Sequence, residues 1–276
     1  MQPAIFLGLD LAWSERNPSG LAALDENGAV LDYRADLVDF DDILGWVRAH
    51  ARPTCVLGID MPTIVPNASG TRRCESELRA EFHRAHAGPH PANRSRPDFR
   101  DGGRARRLLD ALAPDGFTER LELEPRAPGR FAFEVFPHPA HVRLFGRQTI
   151  FRYKKKSGRS WQAVWAEWAE YRAALAGLAT ADPALRMPAD IPAEIREKSQ
   201  AYKRAEDILD ALTCAYVAAF AWRWGTAGPH VRVFGNRAEG YILIPDVPAV
   251  RGTDAANRHE ERPSGLYEPE GPHRSS

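Results

Sequence analysis

The chain has 276 residues, with 37 Lys and Arg against 37 Asp and Glu and hence zero formal net charge. At 43% hydrophobic and 9% aromatic residues it can bury a sizeable core, as one domain with insertions or as two small ones. The overall balance gives no argument for an anionic partner, and the longest apolar run, "ALTCAYVAAFAW" from Ala211 to Trp222, is too short to span a bilayer.

Residues 4–10 read as a strand that ends in Asp10. "GLAALDENGAVLDYRADL" reads as a hairpin, with Glu26-Asn27-Gly28 as the turn between two apolar runs. Residues 39–50, "DFDDILGWVRAH", have the period of an amphipathic helix capped by Asp39. "TCVLGID" then repeats the opening pattern and ends in Asp60. Residues 71–87 are predicted to be mostly helical, "AGPHPANRSRPDFRDGG" a loop, and 103–113 a second short helix. "RFAFEVFPHPAHV" gives a strand ending near Pro137, and "SWQAVWAEWAEYRAALAGL" a Trp-rich helix. "PADIPAEIREK" reads as a loop, and "SQAYKRAEDILDALTCAYVAAFAWRWG" as a long helix closed by Gly225. "GYILIP" is a last short strand, and the polar residues 250–276 are expected to be disordered. Strands joined by tight turns are antiparallel, and strands reached through helices are most easily parallel to the first. The expected architecture is therefore a mixed α/β sheet with helices on its faces, over residues 1–249, with insertions at about 67–128 and 147–198. No charged-then-apolar leader precedes Ala4, and Cys55, Cys74 and Cys214 lack metal spacing. Both features fit a reduced, cytoplasmic protein that does not enter the membrane.

Two strands driven into aspartates call for an explanation. Side chains alternate along a strand, so Phe6, Gly8 and Asp10 share a face, as do Val56, Gly58 and Asp60. The third strand offers Ala132, Glu134 and Phe136 in the same pattern. A small residue two positions before each acid lets another element approach closely. The long helix suits that approach, because Asp207, Asp210, Ala211, Cys214, Ala218 and Ala221 form one stripe of small and acidic residues. So many carboxylates would repel one another, and divalent cations offset such repulsion. Mg²⁺ or Mn²⁺ takes oxygen ligands and can activate water against a phosphodiester. The expected centre is thus Asp10, Asp60, Glu134, Asp210 and Asp207, the first four as metal ligands. For any one of these acids, a role as a cap or solvated end is the competing explanation; the matched positions favour a shared site.

In order and spacing, several segments resemble a known group. They are "GLDLAW" at 8–13, "GIDMP" at 58–62, "RRCESELR" at 72–79, "EVFPHPA" at 134–140, "YKK" at 153–155, "DILDALTCAY" at 207–216 and "GYILIP" at 240–245. Together they are similar to the predicted RNase H-like nucleases (domain of unknown function family 429) of the ribonuclease H-like superfamily. Asp207-x-x-Asp210-Ala211 looks like the final motif of Holliday-junction resolvases in that superfamily. The resemblance implies a five-stranded sheet in order 3-2-1-4-5, a C-terminal helix that delivers an acid, and metal-dependent nuclease activity. Ribonucleases H proper place a glutamate on the first helix after the hairpin. Here that helix offers only Asp39, Asp41 and Asp42 at its start, so Glu134 would have to substitute.

Cations gather near the expected site. Arg72, Arg73, Arg94, Arg96, Arg100, Arg104, Arg106 and Arg107 lie in the first insertion, and Lys154, Lys155, Lys156 and Arg159 follow the third strand. Of these, Arg72, Arg73, Arg96, Arg104, Lys154 and Lys155, together with His138, are the candidates for holding the phosphates of a nucleic-acid partner. Interspersed acids allow the alternative of a solvated surface. Phe99 and Trp161 are possible stacking platforms for bases, although Trp161, Trp165 and Trp168 stand at the helical spacing of core residues. His83, His86 and His90 cross from helix into a Pro-rich loop with no cysteine beside them, so they do not read as a zinc set. Two other functions remain open on the same core: a small-molecule phosphotransferase or phosphohydrolase, and a non-catalytic binding module.

Overall fold

Gly28 makes a sharp turn, and its φ of +78° is a conformation that favours glycine. It joins β2 (Ser19–Asp25) to β3 (Val30–Leu37), and Asp25 Oδ1 accepts from the Asn27 and Ala29 amides at 2.9 and 2.8 Å. The computed structural model describes residues 3–247; the expected disorder of 250–276 lies outside them. β1 (Ile5–Asp10) precedes the hairpin, and α1 (Phe40–His50) follows it with Asp39 as N-cap. Next come β4 (Cys55–Ile59), α2 (Arg73–Phe82), α3 (Arg104–Leu112), β5 (Phe117–Glu119) and β6 (Arg130–Glu134). The chain continues through α4 (Pro137–Leu144), α5 (Trp161–Ala176), α6 (Ser199–Trp224), β7 (Val231–Asn236) and β8 (Gly240–Pro245).

The main sheet has six strands in the order β3-β2-β1-β4-β6-β5. The β1–β2 and β2–β3 pairs are antiparallel, while β1–β4, β4–β6 and β5–β6 are parallel. This mixed α/β sheet has one strand more than the five expected. β5 is only 3 residues long, too short to show alternation, and adds at the edge through Phe117↔Arg130. β7 and α4 were also not visible beforehand. β8 pairs with β7 in a separate two-stranded sheet and, among the described residues, meets the main one at the bridge Val135↔Leu243.

Alternation divides the core. Phe6, Val56, Phe131 and Phe133 pack with α6 on one face, and Leu7, Leu9, Leu57 and Ile59 pack with α1 and α3 on the other. α6 lies so close to the sheet that its backbone meets the glycines. A Cβ on Gly8 would come within 2.1 Å of the Ala211 carbonyl oxygen, and one on Gly58 within 2.6 Å of that of Cys214. Gly20 of β2 stands in the same relation to Asp207, at 2.2 Å from its carbonyl oxygen. Glycine is therefore what lets the acid-bearing turns of α6 reach the ends of β1 and β4.

A cluster of aspartates and lysines at the sheet end

β1 and β4 run parallel with Gly8 opposite Gly58, so Asp10 and Asp60 leave neighbouring strand ends on the α6 face. Both are half-buried, whereas Asp207 and Asp210 on α6 are buried. The four aspartates share one electrostatic environment. Burial, more than any neighbour, raises the pKa of Asp10, with Asp210 adding to the rise and Lys154 opposing it. Asp60 is pushed well up by burial and then by Asp10. Asp207 is pushed up to about 8, again by burial and Asp10. Burial is the largest influence on Asp210 too, but Lys154 and the Tyr153 hydroxyl act together against it, and the carboxyl is held below the ordinary range.

Two lysines enter the cluster. Lys154 Nζ lies 2.8 Å from Asp210 Oδ2, and the charges of Asp210, Asp10 and Asp60 overcome burial to keep it protonated. Lys203 pairs with Asp207 one helical turn away and with Glu206 at 3.1 Å. The sequence places Lys154 in a phosphate-holding rim; the structure pairs it with Asp210 inside the cluster instead. Lys203 was missed, although its i, i+4 spacing to Asp207 is a legible signal. Tyr153 and Tyr171 were missed as well. The Tyr153 hydroxyl donates to Asp210 Oδ1, and the Tyr171 hydroxyl lies 3.3 Å from the same oxygen. Asp210 thus engages both tyrosines through Oδ1 and pairs with Lys154 through Oδ2; the Oδ2 atoms of Asp207 and Asp210 are both buried with no hydrogen-bond partner among the described residues.

Glu134 is set apart from this cluster, although its charge still adds to the rise at Asp60. β6 pairs with β4 so that Gly58 faces Phe133 and Ile59 faces Glu134. Paired residues of a parallel ladder share a face, and one step of register moves a side chain to the other side of the sheet. Phe131, Phe133 and Val135 therefore point to α6, and Glu134 lies on the opposite face. There Arg72 Nη1 and Nη2 donate to its two oxygens at 2.8 and 2.6 Å, and the Thr63 amide donates at 3.1 Å. Arg72, the expected phosphate ligand, is 2% exposed and also bonds Glu75 at 2.8 Å. Burial pushes the Glu134 carboxyl up while Arg72 pulls it back. The pair ties β6 to α2 and to the segment after β4, a structural role in place of the two site roles read from sequence.

The remaining candidates are scattered. Arg104 is 5% exposed and donates to the carbonyls of Ala12 and Val38, pinning the loop after β1. Arg96 lies over the Trp13 ring, 4.9 Å from its centroid. Arg73 is exposed and paired with Glu77 at 2.7 Å. Lys155 donates to the Arg159 and Lys156 carbonyls of its own loop at 2.7 and 3.2 Å. His138 packs 6.3 Å from the Tyr153 ring, and burial with Lys154 lowers its pKa to about 3, so it stays neutral. Phe99, a candidate base platform, is buried beneath Trp13, with the ring centroids 4.9 Å apart. Trp168 is core, and Trp161 packs against Tyr202.

As the side chains stand, no three Asp, Glu, His or Cys among the described residues form a ready-made metal site. The donor chemistry still fits a hard divalent cation. All the donors are oxygens, two carboxylate oxygens of the cluster lack a hydrogen-bond partner among the described residues, and the carboxylates outnumber the two ammoniums. No described helix is long and apolar enough to cross a membrane. No curated protein and no solved structure matches the chain. The family model described as "Protein of unknown function (DUF429)" matches residues 8–237, a stretch that takes in Asp10, Asp60, Lys154 and the aspartates of α6. The chain belongs to the DUF429 family.

Proposed function

We propose that the chain is a divalent-metal-dependent phosphodiesterase, a nuclease of ribonuclease H-like type that uses Mg²⁺ or Mn²⁺. The observation that carries this reading is charge imbalance in a confined place. Asp10, Asp60, Asp207 and Asp210, on two strand ends and one helix, lie near enough to act on one another's pKa, and Lys154 and Lys203 are the cations that pair with them. With Glu206, which shares Lys203 with Asp207, the carboxylates exceed the ammoniums by three when all are ionised, an excess that a divalent cation offsets. Asp10, Asp60 and Asp207 would hold the ion. Asp210 stays with Lys154 and the two tyrosines and fixes that side of the site. The strand order β3-β2-β1-β4-β6, with the short β5 set aside, agrees with the order the resemblance implies and supports the reading.

When bound, the ion supplies a water of lowered pKa and stabilises charge on a phosphoryl oxygen. Lys154 presents a fixed ammonium to the same place and would contact a phosphate there. Tyr153 and Tyr171, kept protonated by burial and by Asp210, hold Asp210 in one orientation. The test is incubation with end-labelled single-stranded and duplex DNA and RNA, in Mn²⁺ or in chelator. Product is expected only with metal, and only from a protein that retains Asp10. Absence of product from every substrate, or product unaffected by Asp10→Asn, contradicts the reading.

A further inference from the structure

Next to the aspartate cluster the loop after β1 shapes two cavities. The larger, about 670 Å³, is lined by Asp10 and Asp207 at its inner end and by Trp13, Arg16, Lys203 and Arg204. The smaller, about 360 Å³, includes Trp13, Arg104 and Arg107. Trp13 lines both, so its indole is the wall between them. The ring is well fixed, with Arg96 over it and the edge of Phe99 against it. At the outer side Arg16 and Arg204 are exposed, and among the described residues neither has an ion-pair partner. Of the four acids on the wall, Asp10, Asp36, Asp98 and Asp207, two are ion-paired. Asp36 is held by Arg34 at 2.7 Å and Asp207 by Lys203.

A volume of this size is that of a small-ligand pocket. A cavity that combines a fixed aromatic wall with two exposed arginines, beside the acid centre, recognises a planar ring joined to an anion. We propose that the larger cavity is a subsite for one nucleotide unit, its base beside Trp13 and its phosphate at Arg16 and Arg204. The inference rests on reading the aspartate cluster as a phosphodiesterase centre, and it narrows the substrate. A duplex keeps its bases stacked inside and offers no free ring, so the occupant is an unpaired nucleotide, either free or within a single strand.

The test is binding by titration calorimetry in chelator, without metal chemistry. The probes are a nucleoside 5′-monophosphate, ribose 5-phosphate, a five-nucleotide single strand and a blunt duplex of matching sequence. Trp13→Ala should weaken the monophosphate or the single strand about tenfold or more, Trp13→Phe less than about threefold, and neither should change ribose 5-phosphate. Arg16→Ala with Arg204→Ala changes only exposed side chains; it should weaken all phosphate-bearing probes and flatten the salt dependence of single-strand binding by about one unit of slope. The single strand should bind more tightly than the duplex. A response to the monophosphate alone makes the occupant a free nucleotide; a response to the strand makes it part of a polymer. Equal affinity of wild type and Trp13→Ala for both ring-bearing probes, in a variant with unchanged melting, overturns the subsite. So does failure of the wild type to bind either at millimolar concentration. Metal-dependent cleavage that survives Trp13→Ala unaltered would remove the subsite but leave the catalytic reading. Trp13-dependent binding without cleavage would do the reverse.

Discussion

At the scale of single residues, Asp10 and Asp210 look equivalent in the sequence but differ in the fold. Asp10 carries a raised pKa, and Asp207 beside it rises from 3.8 to about 8, so between those values the folded chain holds more protons than the unfolded one. Stability of the metal-free protein should therefore fall as pH rises through that window. Asp10→Asn removes one of the repelling charges. Its melting temperature without metal should exceed that of wild type by a few degrees at pH 8, with the gap closing at pH 5. Asp210 is held below its ordinary range by Lys154, so its ionised form contributes stability at neutral pH. Asp210→Asn should destabilise by ~1–3 kcal/mol, the opposite sign, read in the same melts. Two melts of equal sign at pH 8 would mean that this division between the aspartates is wrong. For Glu134→Gln the expected loss is larger, about 3–5 kcal/mol, because it leaves buried Arg72 without one of its anions. If Glu134→Gln melts like wild type, the buried pair is not what binds β6 to α2.

At the scale of elements, the packing of α6 on the sheet was legible and the register of β6 was not. Gly8, Gly58 and the small-residue stripe of α6 point to a close helix–sheet approach, and the Cβ distances at Gly8 and Gly58 agree with that expectation. The face of Glu134 could not be read by matching Ala132-x-Glu134 to Gly8-x-Asp10. Alternation within a strand is fixed by its own apolar residues, and here Phe131, Phe133 and Val135 take the α6 side. β5 escaped notice because three residues carry no period. β7 escaped because its burial does not alternate. Gly8→Ala tests the close approach. Its methyl would collide with backbone, not with a movable side chain, so a loss of ~1–3 kcal/mol is expected. Activity should fall further than stability does, since α6 carries Asp207 and Asp210. A fully active, wild-type-stable Gly8→Ala protein would show that α6 does not set the site.

For the whole molecule, zero net charge concealed a strongly uneven distribution. Positive residues counted as a rim in the sequence turned out to be spent inside the fold. Arg72 and Arg104 are buried, Arg96 lies over an indole, and Lys155 closes its own loop. Linear clustering of arginines cannot distinguish these uses, because each depends on which backbone carbonyl or carboxylate the fold brings near. The acids were more legible, since their strand-end positions follow from alternation alone. What remains is a centre with more carboxylates than ammoniums at the inner end of a cavity. Such a centre should take up a cation and give up protons, because ligating carboxylates must be ionised. The most direct measurement is calorimetric titration of Mg²⁺ and Mn²⁺ at pH 7 in buffers of different ionisation enthalpy. The account expects saturable binding that releases about two protons per ion, and that is lost in Asp10→Asn and in Asp60→Asn. Absence of binding at millimolar metal, or binding unchanged by either substitution, would contradict it.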